Sequence, residues 1–101
     1  EYGPHARAYL GLGIIHQKKG AFEESIRILS EGIEIFPGDE HLHICLAVSY
    51  MNMGKFKVAL SHLLRFEYRK EALHAIASCY QALNDRVKAQ DYFKRFKALN
   101  K

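Results

Sequence analysis

The chain is defined first by what it does without. Tryptophan is absent, and proline and cysteine occur twice each, as Pro4, Pro37, Cys45 and Cys79. With so few prolines and no run of alternating polar and apolar residues, nothing asks for strands and little interrupts helices, so an all-α fold is expected. The two cysteines lie among apolar neighbours and read as small buried hydrophobes in a reducing compartment; their spacing does not ask for a disulfide. No apolar run approaches the roughly 18 residues of a membrane helix, and nothing resembles a secretory leader, so a cytoplasmic protein is expected. The six histidines form no H-E-x-x-H or Cys/His cluster, and His41 and His43, two apart on a helix, point to different faces. No metal or cofactor is expected. A glycine-rich phosphate loop and a nucleophile elbow are also missing, and Glu23-Glu24 and Glu31/Glu34 lie on the outer side of an amphipathic helix. With no catalytic residue to name, the chain is not expected to be an enzyme.

What is present is ordinary for one globular domain: 101 residues, 49% hydrophobic and 26% charged. The net charge of +4 is not spread evenly. Residues 1–84 hold nine basic and nine acidic side chains, while 85–101 hold six basic and two acidic ones. All the excess therefore sits at the C-terminal end, unlike the diffuse basicity of a nucleic-acid coat. Nucleic acid is not an expected partner, and neither is a membrane beyond peripheral contact through this basic end.

The dominant signal is repetition. Tyr9, Leu12, Gly13, His16, Gly20, Ser25, Leu29 and Gly32 are matched 34 places later by His43, Leu46, Ala47, Tyr50, Gly54, Ala59, Leu63 and Phe66. Leu73, Ile76, Ala77, Tyr80, Asn84, Ala89, Phe93 and Phe96 match again after a further 30. Helices are expected at about His5–Lys19, Phe22–Phe36, Glu40–Met53, Phe56 to between Phe66 and Tyr68, Lys70–Leu83 and Arg86–Leu99. Gly20, Gly54 and Asn84 close the first helix of each pair, Asp39 and Asp85 cap the helices that follow them, and Pro37-Gly38 stops the second. Because the middle unit is four residues shorter, the fourth helix should be visibly shorter than the second.

Leu12-Gly13-x2-His16 with Ser25, Leu29 and Pro37, Leu46-Ala47-x2-Tyr50 with Ala59 and Leu63, and Ile76-Ala77-x2-Tyr80 with Ala89 and Phe93 carry the pattern of the tetratricopeptide repeat. The chain resembles that family over nearly its full length, departing from it in the missing tryptophan and in Pro37 having no counterpart in the later units. The resemblance implies a single domain over 1–101, a right-handed superhelical array of six helices in antiparallel pairs (units at about 5–38, 39–69 and 70–101). Glu1-Tyr2-Gly3-Pro4 stands where Ile35-Phe36-Pro37-Gly38 ends a unit, so a parent chain extending N-terminally with a preceding repeat is expected.

The resemblance further implies a non-catalytic scaffold whose partner is a protein or peptide, held in a concave groove lined by the first helix of each pair. The groove residues would be Arg7, Leu10, Ile14, Gln17 and Lys18 from the first unit. The second would supply His41, Ile44, Cys45, Val48, Met51 and Asn52, and the third Glu71, His74, Ser78 and Gln81. Family members that clamp an acidic C-terminal peptide carry lysine, arginine and asparagine at such places. Leu10, Ile14 and Ile44 stand here, so the clamp is not carried over and an apolar or amphipathic segment is the expected ligand.

The third helix is apolar all round and therefore asks for cover on every side. Ile44, Val48 and Met51 form the side that its neighbours leave open. Either a ligand or a second copy of the chain would cover them, which keeps homo-oligomerisation as the alternative role. Ile26 and Ile33 should face the helix that follows, but their counterparts become Leu60 and Glu67, then Gln90 and Lys97. Arg86, Lys94, Lys97 and Lys101 complete a polar face with Gln90. That face is expected to solvate the end of the array with no seventh helix upon it, or else to dock an acidic partner.

Overall fold

The first helix of every pair is closed in the same way. In the computed structural model, which describes residues 5–99, Gly20 and Gly54 take φ of +80° and +78°, and Asn84 takes +65°. The amide of the next residue reaches back to the fifth carbonyl before it: Ala21 to His16 at 2.8 Å, Lys55 to Tyr50 at 2.9 Å and Asp85 to Tyr80 at 2.9 Å. A side chain with a Cβ is strained in this left-handed conformation, and asparagine tolerates it best after glycine. The three closures yield α1 (Ala6–Lys18), α3 (Glu40–Asn52) and α5 (Lys70–Ala82), each 13 residues long.

Their partners are α2 (Phe22–Ile35), α4 (Phe56–Leu63) and α6 (Arg86–Leu99). Asp39 accepts a hydrogen bond from the Leu42 amide at 3.0 Å and Asp85 one from the Lys88 amide at 3.2 Å, so both expected caps are in place. The eight-residue α4 is shorter than the 14-residue α2, as the short middle unit requires. Leu64–Phe66 tightens into a single 3-10 turn, and the chain then turns into α5 with Arg69 paired to Glu40 at 2.9 Å. Tyr68 also donates to Glu40. These two contacts hold the α4–α5 connection onto the start of α3.

Consecutive helices pack antiparallel, and α3 also lies against both α1 and α5, giving an all-α array 46 Å long. The contacts within it are close. A Cβ built on Gly13 would lie 2.5 Å from Leu29 Cδ2, and one on Gly32 would lie 2.8 Å from the Tyr9 Cβ. Ser25, Ala47, Ala59, Ala77 and Ala89 occupy the equivalent small positions, all buried. The core is divided in two. Leu29, Leu42, Cys45 and Leu46 join α2 to α3, with Ile26 and Ile33 packed beside them. Leu60, Leu63, Ile76 and Cys79 join α4 to α5. By contrast, α6 buries only Ala89 fully and leans on α5 through Tyr92 against Tyr80 and Phe93 and Phe96 against His74. No helix among the described residues is long and apolar enough to cross a membrane. Residues 1–4, proposed from the sequence as the tail of a preceding unit, lie outside the described residues.

A polar cluster that the sequence did not announce centres on buried His43, between α3 and the turn that follows α4. His43 Nδ1 lies 3.0 Å from an Arg65 guanidinium nitrogen, and its Nε2 lies 2.9 Å from the Pro37 carbonyl oxygen. A guanidinium only donates, so Nδ1 accepts and Nε2–H donates to Pro37, which sets the neutral tautomer. His62 stacks on Tyr50 at 6.0 Å and faces His43 at 5.8 Å. Burial, and then the neighbouring His43 and Arg65, hold its pKa below the ordinary histidine value.

Two outcomes follow for stability. Gly32→Val drives a branched side chain into Tyr9 and should destabilise the fold by about 1–3 kcal/mol, whereas Gly11→Ala, with nothing within 4 Å of the new methyl, should stabilise it by up to about 1 kcal/mol; urea midpoints measure both. Because folded His62 binds its proton less readily than the unfolded chain does, its contribution is fully present above about pH 6.5. It is lost as pH falls from there toward the lowered folded value, so thermal stability should drop over that interval and His62→Gln should flatten the drop.

Candidate peptide-binding groove

Each first helix has two working faces. On α3, Leu42, Cys45, Leu46 and Ser49 face the preceding pair and are buried. About a third of a turn away, Ile44, Val48 and Met51 are half-buried along the side flanked by α1 and α5. Val48 is the least engaged of the three, since Ile44 and Met51 place part of their surface on the α4–α5 core. On α1 the corresponding Leu10 and Ile14 are half-buried against the α2–α3 core. The row through the middle of the groove is thus apolar and partly open.

Its ends are polar. Arg7 and His41 are exposed and line, with Ala6, Leu10 and Asp39, an open pocket of about 230 Å³ between α1 and α3. Lys18 and Asn52 are exposed at the opposite end of their helices. In the third unit Glu71 is exposed and lies 3.7 Å from Arg69, while His74 is exposed and rests edge-on against Phe93 and Phe96 of α6. The Ser78 hydroxyl donates to the His74 carbonyl at 3.0 Å, so its hydrogen is already committed. Gln81 is exposed at the far end of α5.

Two residues assigned to the groove from the sequence do other work. Cys45 is buried in the α2–α3 core at 9% exposure. It follows Ile44 by one residue, and about 100° of helical rotation moves a side chain from the groove side to the stacking side. Burial raises its thiol pKa, partly offset by the Gln17 amide, so the thiol stays protonated.

Gln17 is part-buried rather than presented to a ligand. Its Nε2 donates to the Cys45 carbonyl at 2.8 Å and to the Ser49 hydroxyl at 2.7 Å, and lies 3.2 Å from Cys45 Sγ. Ser49 pairs with Ser25 at 2.9 Å, and Ser25 donates to the Gly13 carbonyl at 2.9 Å. The chain Gln17–Ser49–Ser25–Gly13 stitches α1, α2 and α3 together with buried polar groups satisfied. Ser25 at the close-approach position where the later units carry Ala59 and Ala89 was the sequence signal for it.

Two tetratricopeptide repeat family models match the chain, one over residues 6–39 and the other over 72–101. No curated protein matches it in sequence. Among solved structures, the first tetratricopeptide domain of Spaghetti (RPAP3), bound to the HSP90 peptide SRMEEVD, superposes with a TM-score of 0.87 at 22% identity. That match covers 93% of this chain and 78% of the other. The first such domain of human RPAP3 gives 0.89 at 24% identity, covering 96% and 80% of the two chains. The tetratricopeptide domain of Arabidopsis FLU gives 0.80 at 21% identity, covering 92% of each. With the first and last units matched by family models and all six helices arranged as in such domains, the chain belongs to the tetratricopeptide repeat family.

Proposed function

We propose that this domain is a non-catalytic interaction scaffold that holds an apolar or amphipathic peptide segment across α1, α3 and α5. The observation that carries the reading is the half-buried row of Ile14, Ile44, Val48 and Met51, flanked by exposed Arg7 and His41. Apolar side chains held part-open between polar ends are anchor pockets for a helix or extended segment. Peptide binding by the similar RPAP3 domain supports the mode. The peptide chemistry differs, because SRMEEVD is acidic and the centre of this groove would desolvate carboxylates against leucine, isoleucine and valine without pairing them. Self-association is the second reading, and the exposure of Leu12 and Ile15 on α1 favours it.

Val48→Asp should weaken binding of an amphipathic helical peptide by about 1–3 kcal/mol, the loss of one buried apolar anchor. The melting temperature should change little, since Val48 is the least engaged of the row. Titration of labelled apolar, amphipathic and acidic peptides by fluorescence anisotropy checks both ligand class and residue. Preference for the acidic peptide, or unfolding of Val48→Asp with residual binding unchanged, would remove the reading.

A further inference from the structure

The second and third units carry the same polar cluster in two chemistries. One offset of 30 residues takes Tyr50, His62 and Arg65 onto Tyr80, Tyr92 and Arg95. In both units the tyrosine of the first helix stacks on the ring opposite, His62 at 6.0 Å and Tyr92 at 5.6 Å. Arg95 is held by two carboxylates, Glu67 at 2.8 Å and Asp91 at 3.1 Å, and Tyr92 donates to Glu67. Thirty places before those carboxylates stand Pro37 and Ser61, which bring no charge. Arg65 turns instead to the Nδ1 lone pair of His43 at 3.0 Å, and His43 Nε2 donates to the Pro37 carbonyl at 2.9 Å. A neutral imidazole thus does for Arg65 what Glu67 does for Arg95.

The two versions answer acid differently. A carboxylate stays charged through the range in which histidine titrates. An imidazole that accepts from a guanidinium cannot keep that bond, because the proton takes the same lone pair and leaves two cations facing each other. His43 is only 4% exposed, so water does little to screen them. The carboxylates on the adjoining segments are already engaged. Asp39 caps the Leu42 amide, Glu40 holds Tyr68 and Arg69, Glu71 lies beside Arg69, and Glu67 holds Tyr92 and Arg95. His62, 5.8 Å from His43, is a second place for positive charge, and its buried Nδ1 has no hydrogen-bond partner among the described residues.

We propose that His43 is an acid-released clasp on the middle unit. Neutral, it ties the Leu64–Phe66 turn to α3 through Arg65; protonated at Nδ1, it lets that turn go, while the carboxylate-built third unit holds. The proton comes from solvent and replaces the Arg65 N–H at the same nitrogen, with no other bond made or broken. Phe66, whose ring lies 5.5 Å from that of His43, leaves with the turn. The Arg69–Glu40 pair still anchors the start of α5, so the opening is confined to the end of α4 and the turn. Leu64 and Phe66, packed on the α4–α5 core at neutral pH, are the apolar side chains that acid uncovers.

Amide exchange followed residue by residue at about pH 7.5 and about pH 5.5, corrected for the intrinsic pH dependence of exchange, tests this. Exchange over residues 64–69 should rise at least about tenfold in acid, with α5 and α6 unchanged. Histidine nitrogen shifts should show His43 gaining its Nδ1 proton over the same interval. His43→Gln keeps an acceptor for Arg65 and a donor for Pro37 without a titrating group, and should hold the turn at both pH values. Arg65→Met, at an exposed position, cuts the clasp from the other side. Its turn should exchange at pH about 7.5 as fast as the wild type does at about 5.5, with no further response to acid. Equal loss of protection in the turn, α5 and α6 would overturn the proposal, since the acid effect would then be global unfolding. An acid response that persists in Arg65→Met would overturn it as well, and that variant decides the matter should His43→Gln fail to fold.

Discussion

The array depends on helices that meet at backbone distance. Leu29 occupies the space where Gly13 has no side chain, and Tyr9 does the same over Gly32. Ser25 and Ser49 are small enough for their hydroxyls to touch across two pairs. Protein interiors are packed like crystals, so one extra methyl at such a point has nowhere to go and must separate the helices. The groove flanked by α1 and α5 takes its position from this spacing.

Because the small residues settle the stacking, the remaining faces are free to serve recognition. On α3 one set of positions is consumed by the core and the set about 100° away is left half-open, so groove chemistry can vary without changing the fold. The apolar row of Ile14, Ile44, Val48 and Met51 is one such choice, and it differs from a groove built for carboxylates. The outer faces differ in the same way: among the described residues Leu12 and Ile15 leave an apolar surface on α1, while Gln90, Lys94 and Lys97 make the surface of α6 polar and positive.

The sequence by itself determined the fold class, the six helices, the short α4 and the helix closures, because each rests on local chemistry. Gly20, Gly54 and Asn84 adopt left-handed backbone for reasons internal to one turn, and Asp39 and Asp85 cap the helices beside them. The spacing of small residues was legible for the same reason, as a period needs no knowledge of contacts. Only the tertiary structure decided which way neighbouring positions point and what they meet. Cys45 and Ile44 are adjacent and both apolar, so composition cannot separate them, and the rotation of α3 against α2 buries one and opens the other. Gln17 reads as a groove residue in the sequence, whereas the Cys45 carbonyl and Ser49, 28 and 32 residues away, hold it between the helices. The His43–Arg65 contact likewise joins residues 22 apart across a tight turn. Such pairings are set by the distance between helices, a property of the packed array that no single stretch of sequence contains.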